Sequence, residues 1–210
     1  MKFSIVKYKN GGNIKTLYNF FLNFSNQIKV IEENDNFDQS DILILPGVGS
    51  FDPVINQLRN SNFTHRINEF ISNKKKIVIS ICLGAQLLCH SSDESSGEKG
   101  LGLIKANVKK ISGIKKRKPI IGPYNLQDSQ ESIHNLLFGN LDKNYYFYFM
   151  HSYQIILNEK TDMIANYQIE NINILACFIK ENIIGFQFHP ELSGNSGIKL
   201  IKNTLKYYNF

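Results

Sequence analysis

The chain opens with an apolar run over residues 3–8, follows it with Asn10-Gly11-Gly12-Asn13, and then sets Leu17, Phe20, Phe21 and Phe24 at helical spacing. That order predicts a strand, a turn and a helix over residues 14–24. Residues 41–45 form a short continuous apolar run closed by Pro46-Gly47-Val48-Gly49, the pattern of a buried strand ending in a tight loop. A helix is expected over residues 53–72. Lys74-Lys75-Lys76 then precedes a second buried strand at 77–81, and a helical stretch follows at 83–90. Strand and helix alternate through this half, which points to a parallel sheet covered on both faces. The second half reads differently. Residues 108–111, 145–150, 174–179 and 183–188 are strand candidates with short connections, and a helix at 198–207 closes the chain. The expected fold class is therefore α/β, with a mostly parallel central sheet flanked by helices and an antiparallel extension. The polar stretch 91–100 and the basic run 115–118 read as exposed loops.

At 210 residues and 42% hydrophobic composition, one domain spanning 1–210 can bury an ordinary core, and fibrous or wholly disordered readings fit poorly. The net charge of +6 would invite a nucleic-acid reading. It rests, however, on 21 Lys and only 3 Arg, and arginine is the better residue for bidentate phosphate and base recognition. No nucleic-acid partner is expected. Three cysteines, Cys82, Cys89 and Cys177, show neither disulfide-framework nor zinc spacing. Lys2, Lys7 and Lys9 flank an apolar run too short for a signal peptide, and no run approaches the ~20 residues of a membrane span. The expectation is a reducing, cytoplasmic setting without a membrane partner.

Ser80-Ile81-Cys82-Leu83-Gly84 lies where a buried strand meets a helix, the arrangement of a nucleophile elbow. There the helix N-terminus favours the thiolate of Cys82, and the next backbone N–H, that of Leu83, is placed to bind a developing oxyanion. Read alone, the motif leaves open a cysteine that is simply core, as Cys89 and Cys177 are expected to be. Phe186-Gln187-Phe188-His189-Pro190-Glu191 supplies the partner. Pro190 biases His189 to an extended conformation, in which positions i and i+2 face the same way, so His189 and Glu191 are expected to project together as a base and its orienting carboxylate.

An elbow cysteine followed some hundred residues later by Phe-His-Pro-Glu resembles the class I, triad-type glutamine amidotransferases. Segments 45–51, 81–88, 100–103, 146–153 and 185–194 resemble, in order, the glutaminase subunits of imidazole glycerol phosphate synthase, and the likeness runs over nearly the whole chain. What the resemblance implies is that Cys82 attacks the side-chain amide of L-glutamine. His189 then protonates the departing ammonia, Glu191 holds its ring, and water hydrolyses the thioester. It further implies an oxyanion site at Leu83 and the loop Gly47, Val48 and Gly49, and a grip on the substrate by Gly49, Gln86 and the backbone of His151, Ser152 and Tyr153. The His151 imidazole itself is expected to be structural. The implied partner is a cyclase subunit forming a heterodimer and consuming the ammonia in histidine biosynthesis. No metal or organic cofactor is implied.

Three departures stand out. Ser80 occupies a position where the family usually has Gly. The opening element appears as Lys7-Tyr8-Lys9-Asn10-Gly11-Gly12-Asn13, without its acidic residue and one residue longer. Gly122-Pro123-Tyr124-Asn125 replaces a Gly-Trp-Asn segment, and the chain has no Trp. The last two lie where the family faces its partner. They motivate an alternative in which a paralogous glutaminase feeds another acceptor, such as a sugar amidotransferase of surface-polysaccharide assembly. A catalytically silent regulatory subunit, or a cysteine hydrolase for another amide, are further alternatives. The intact Cys82, His189 and Glu191 weigh against the former, and Gln86 with His151-Ser152-Tyr153 against the latter.

Overall fold

The computed structural model describes all residues except 10, 12, 13, 33, 34, 116, 117 and 128–131, and the side chain of Ser132. In chain order the elements are β1 (Phe3–Val6), α1 (Ile14–Phe21), β2 (Ile28–Ile31), β3 (Ile42–Leu45), α2 (Phe51–Asn60), α3 (Phe63–Ser72), β4 (Ile77–Ile81), α4 (Leu83–Leu87), β5 (Ser91–Ser92), β6 (Ala106–Lys110) and β7 (Ile120–Tyr124). There follow α5 (Ser132–Phe138), β8 (Phe147–His151), β9 (Tyr153–Leu157), β10 (Met163–Ile169), β11 (Ile172–Lys180), β12 (Ile183–Phe186), a 3-10 turn (Pro190–Leu192) and α6 (Gly194–Tyr207).

Seven strands form one sheet in the order β10-β11-β12-β4-β3-β1-β2. The pairs β12-β4, β4-β3, β3-β1 and β1-β2 are parallel, and β10-β11 and β11-β12 are antiparallel. This is the expected parallel core with its antiparallel extension. Strands β1, β3, β4 and β12 are buried at every position, as a sheet covered on both faces requires. Their alternate side chains serve two separate cores. Ile42, Ile44, Ile77, Ile79 and Ile81 pack with α1 and α6 on one face, whereas Leu43, Leu45 and Val78 pack with α2, α3 and α4 on the other. A three-stranded sheet, β5-β6-β9, and a two-stranded antiparallel sheet, β7-β8, complete the fold.

The sequence reading needs several corrections. The helix expected over 53–72 is two helices, broken where Asn62 adopts a left-handed φ of 58°; asparagine enters that region more readily than most residues. The first helix stops at Phe21 and the one after the elbow at Leu87, while the last begins earlier, at Gly194. β2, β7, β9, β10 and α5 were not anticipated, and Ser91–Ser92 forms a short strand inside the expected loop. Most of the turn expected at 10–13 and the centre of the basic run 115–118 lie outside the described residues.

Candidate active site

Three neighbouring parallel strands, β3, β4 and β12, deliver the loop 46–49, Cys82 and His189 from their carboxyl ends, where open α/β sheets hold their ligands. Cys82 follows β4 with φ 43° and ψ −105°. A non-glycine residue in that conformation stores strain on the order of 1–3 kcal/mol, and its neighbours enforce it. The Cys82 N–H donates to Phe186 O at 2.6 Å. Gly84 lets α4 start directly against β3, since a Cβ there would lie 2.3 Å from Leu45 O. Ser80 keeps this geometry: fully buried, it donates its hydroxyl to Ile184 O at 2.7 Å. With only five residues in α4, the helix contributes less through its dipole than the sequence suggested; its main offering is the N–H of Leu83 in the first turn.

His189 is fully buried, and its Nδ1 lies 2.8 Å from Glu191 Oε1. The two side chains meet as expected, but for a different reason. Residues 190–192 form a 3-10 turn, so the turn brings Glu191 back to His189 and the alternation of an extended chain does not operate. Ser193 holds the turn, donating to His189 O at 2.6 Å while accepting the Tyr148 N–H at 3.0 Å. The remaining ring nitrogen, Nε2, is buried and makes no hydrogen bond. Burial disfavours the imidazolium, but Cys82 and Glu191 outweigh it and push the His189 pKa up to about 10. The sulfur thus biases the ring electrostatically although hydrogen-bond geometry between them is not met, a looseness common in unliganded sites.

The Cys82 S–H points to Met150 O at 3.8 Å, and the side-chain amide of Gln187 donates to Sγ at 3.5 Å. Gln187 Oε1 in turn accepts from Gln86 Nε2 at 3.2 Å. Both glutamines are buried. Gln86 also reaches Tyr153 O at 3.5 Å, and Ser152 O accepts the Ile111 N–H at 3.0 Å. The carbonyls of Ser152 and Tyr153 are therefore already engaged. Both ring nitrogens of His151 are engaged within the protein: Nδ1 contacts Tyr153 O at 2.6 Å and Nε2 contacts the Tyr167 hydroxyl at 2.8 Å. A carbonyl only accepts, so Nδ1 carries the proton and Nε2 accepts from Tyr167. Burial, with nearby His189, lowers the His151 pKa to about 4 despite the Tyr153 bond.

The loop after β3 borders this cluster. A Cβ on Gly47 would lie 2.9 Å from His189 Cε1, Val48 is exposed, and Gly49 has φ 141°. Cys89 and Cys177 are fully buried away from the site, and burial pushes both thiols up. Gln187, Ser193 and Tyr167 were missed as site residues. The first two sit inside the quoted 185–194 segment, where a polar residue between Phe186 and Phe188 was the available signal. Among the described residues, no group of three or more His, Cys, Asp or Glu is arranged to hold a metal, and no helix is long and apolar enough to cross a membrane.

The sequence matches the family model "Glutamine amidotransferase class-I" over residues 10–207. It is 39% identical over 201 residues to "Imidazole glycerol phosphate synthase subunit HisH" of Leptospira borgpetersenii, covering 91% of this chain and 94% of that protein. The protein of the same name from Sulfurimonas denitrificans is 36% identical over 208 residues, covering 98% of each. Among solved structures, "Crystal structure of glutamine amidotransferase" superposes with a TM-score of 0.76 at 14% identity over the whole of both chains. "Structure of PurLQS from Thermotoga maritima" gives 0.72 at 17% identity and 98% coverage of each. These two speak to the fold alone. Cysteine elbow, sheet order and relatives agree, and the chain belongs to the class-I glutamine amidotransferase family, in its branch of imidazole glycerol phosphate synthase HisH subunits.

Proposed function

We propose that residues 1–210 act as one glutaminase unit that hydrolyses L-glutamine and hands the ammonia to a cyclase subunit making imidazole glycerol phosphate in histidine biosynthesis. The observation that carries the chemistry is a strained cysteine at a strand–helix elbow facing a buried His189–Glu191 pair from the adjacent strand in a parallel core. Cys82 passes its thiol proton to His189 as Sγ adds to the side-chain amide carbon, and the oxyanion is held by the Leu83 N–H and the Gly47–Val48–Gly49 backbone. His189 gives a proton to the nitrogen, the C–N bond breaks, and ammonia leaves a glutamyl thioester. His189 then takes a proton from water, whose oxygen attacks the thioester carbon and releases glutamate and the thiol. Glu191 keeps the imidazole oriented throughout.

Gly49, Gln86 and the segment 151–153 form the substrate grip in this reading. Because the Ser152 and Tyr153 carbonyls are engaged within the protein, that segment holds the substrate carboxylate through N–H groups. The partner surface lies over the β7-β8 pair. Exposed Ile121 and Met150 are cross-strand neighbours there, and Met150 carries the carbonyl that touches Cys82. Ammonia formed at Cys82 would thus emerge beside an apolar docking face.

The test is ammonia release from glutamine by the purified chain, alone and with the cyclase subunit of the same organism, with Cys82→Ala as blank. Strong Cys82-dependent stimulation by the cyclase is expected. Cys82-dependent activity indifferent to the cyclase would favour a different ammonia acceptor, and activity surviving in the alanine variant would refute the mechanism.

A further inference from the structure

We infer that Gln187 is a positioning residue for the nucleophile, presenting a side-chain N–H to the Cys82 sulfur at the end of a hydrogen-bond relay that starts on the backbone of Tyr153. The inference rests on the glutaminase reading only for what Cys82 attacks. The donor geometry stands by itself. Gln187 lies between Phe186 and Phe188 with 2% of its surface exposed, and its backbone N–H is fixed on Ala176 O at 2.8 Å. A glutamine amide buried among phenyl rings is costly unless its hydrogen bonds are made.

The relay has one permitted direction. The Tyr153 carbonyl can only accept, and it faces Gln86 Nε2 at 3.5 Å. That turns the Gln86 amide nitrogen toward Gln187, which meets it with Oε1 at 3.2 Å. The Gln187 nitrogen is then left facing Cys82 Sγ at 3.5 Å. Reversing either amide would set oxygen against oxygen at Tyr153 or between the two glutamines. His151 reinforces the starting point by donating to the same Tyr153 carbonyl at 2.6 Å.

An N–H aimed at sulfur favours the form that accepts, the thiolate, over the thiol. The competing contact is the Met150 carbonyl, which accepts from S–H and so favours the thiol. Gln187 opposes that preference with a dipole held rigidly by packing, the preorganisation from which electrostatic assistance arises. The titratable side chains facing Cys82 are His189, beyond β12, and Tyr167, on β10, with Glu191 and His151 behind His189. None of them is altered when Gln187 is changed, so a shift relative to wild type reports the amide.

The experiment is alkylation of Cys82 by iodoacetamide in the intact chain from pH 6 to 9, followed by site-resolved mass spectrometry, with Cys82→Ala as blank. Gln187→Leu removes the donor, and Gln187→Glu keeps an acceptor for Gln86 but turns oxygen on the sulfur. Both are expected to alkylate roughly ten-fold more slowly at pH 7, the size of one hydrogen bond to a charged group, and to move the pH midpoint upward, with Gln187→Glu moving it further. A variant that melts earlier but keeps the wild-type pH profile would reduce Gln187 to packing and overturn the inference. Should neither variant fold, side-chain amide NMR of the ¹⁵N-glutamine-labelled wild type decides: the Gln187 signal must titrate with the alkylation midpoint, and a signal that does not follow it overturns the inference. Alkylation needs no glutamine, so absent ammonia release would sink the glutaminase reading without touching this result.

Discussion

Gly197→Ala should damage both stability and catalysis, although alanine is the better helix former. Gly197 lies in the first turns of α6, where a Cβ would stand 1.9 Å from Pro190 O, 2.8 Å from its carbonyl carbon and 3.2 Å from its Cα. All three are backbone atoms, so no side chain can swing aside. Bringing the nearest contact out to an ordinary 3.0 Å separates helix and turn by roughly 1 Å. Helix propensity gains at most ~1 kcal/mol, whereas crowding a packed interior costs ~1–3 kcal/mol, and a 1.9 Å approach to backbone atoms falls in the upper part of that range, ~2–3 kcal/mol; the net effect is a loss of roughly 1–2 kcal/mol. At this chain length that lowers the melting temperature by roughly 2–8 °C. Pro190 stands between His189 and Glu191, so the displacement reaches a pair now 2.8 Å apart, and an ångström at reacting groups can cost ~10²-fold. Thermal unfolding and Cys82-dependent ammonia release measure the two losses. Gly102→Ala is the control: its φ of 70° carries strain, of ~1–2 kcal/mol, but in open space far from the turn, so it should lower the melting temperature and leave kcat alone. A Gly197→Ala protein with wild-type melting and turnover would refute the close-packing argument.

Two further outcomes follow from the buried network. The His151 pKa falls from 6.5 to about 4 in the folded chain, so between those values the unfolded state binds the extra proton and stability declines as pH drops through that window. The full effect is roughly 3 kcal/mol at ~1.36 kcal/mol per pH unit between the two pKa values. Urea titrations from pH 7.5 to 4 should show this slope in wild type and a shallower one in His151→Gln; parallel slopes would contradict it. Ser193→Ala removes the side-chain link from the turn to β8 and the bond back to His189 O, leaving the His189 N–H on Tyr148 O as the backbone link. His189 O keeps the Leu192 N–H, but the Tyr148 N–H loses its acceptor. A cost of ~1–3 kcal/mol and a lower kcat are expected from unfolding and turnover assays, and an unchanged kcat would show that the Ser193 bond to β8 does not steady His189.

The parallel core was legible because its strands are apolar at every position, and runs such as Ile42–Leu45 and Ile77–Ile81 need no context to be read. What escaped lies at the margins. β2 carries Lys29 within an edge strand, and β7 contains Gly122 and Pro123, which usually argue against a strand. β10 did hold a signal, since Met163, Ala165, Tyr167 and Ile169 alternate inward along it. Its half-buried Asn166 and exposed Gln168 diluted the run below what an apolar scan detects. The break at Asn62 was invisible because a left-handed residue leaves no trace in hydrophobic periodicity.

The site divides along the same physical line. Cys82 with Leu83, and His189 with Glu191, are contacts within five residues of each other, and local motifs encode them. The Glu191 contact came out right through the wrong conformation, because the 3-10 turn that starts at Pro190 folds the chain back and brings the Glu191 carboxylate onto the His189 ring. Gln187 to Cys82, Gln86 to Gln187 and Cys82 to Met150 span 105, 101 and 68 residues. Those distances are closed by register: Phe186 pairs with Ile81, which puts Gln187 level with Cys82, and Tyr148 bridges to His189, which carries Met150 to the sulfur. A one-residue slip in either pairing would turn these side chains to the opposite face. Sequence motifs therefore name the candidate triad, while strand register sets an amide and a carbonyl against the sulfur.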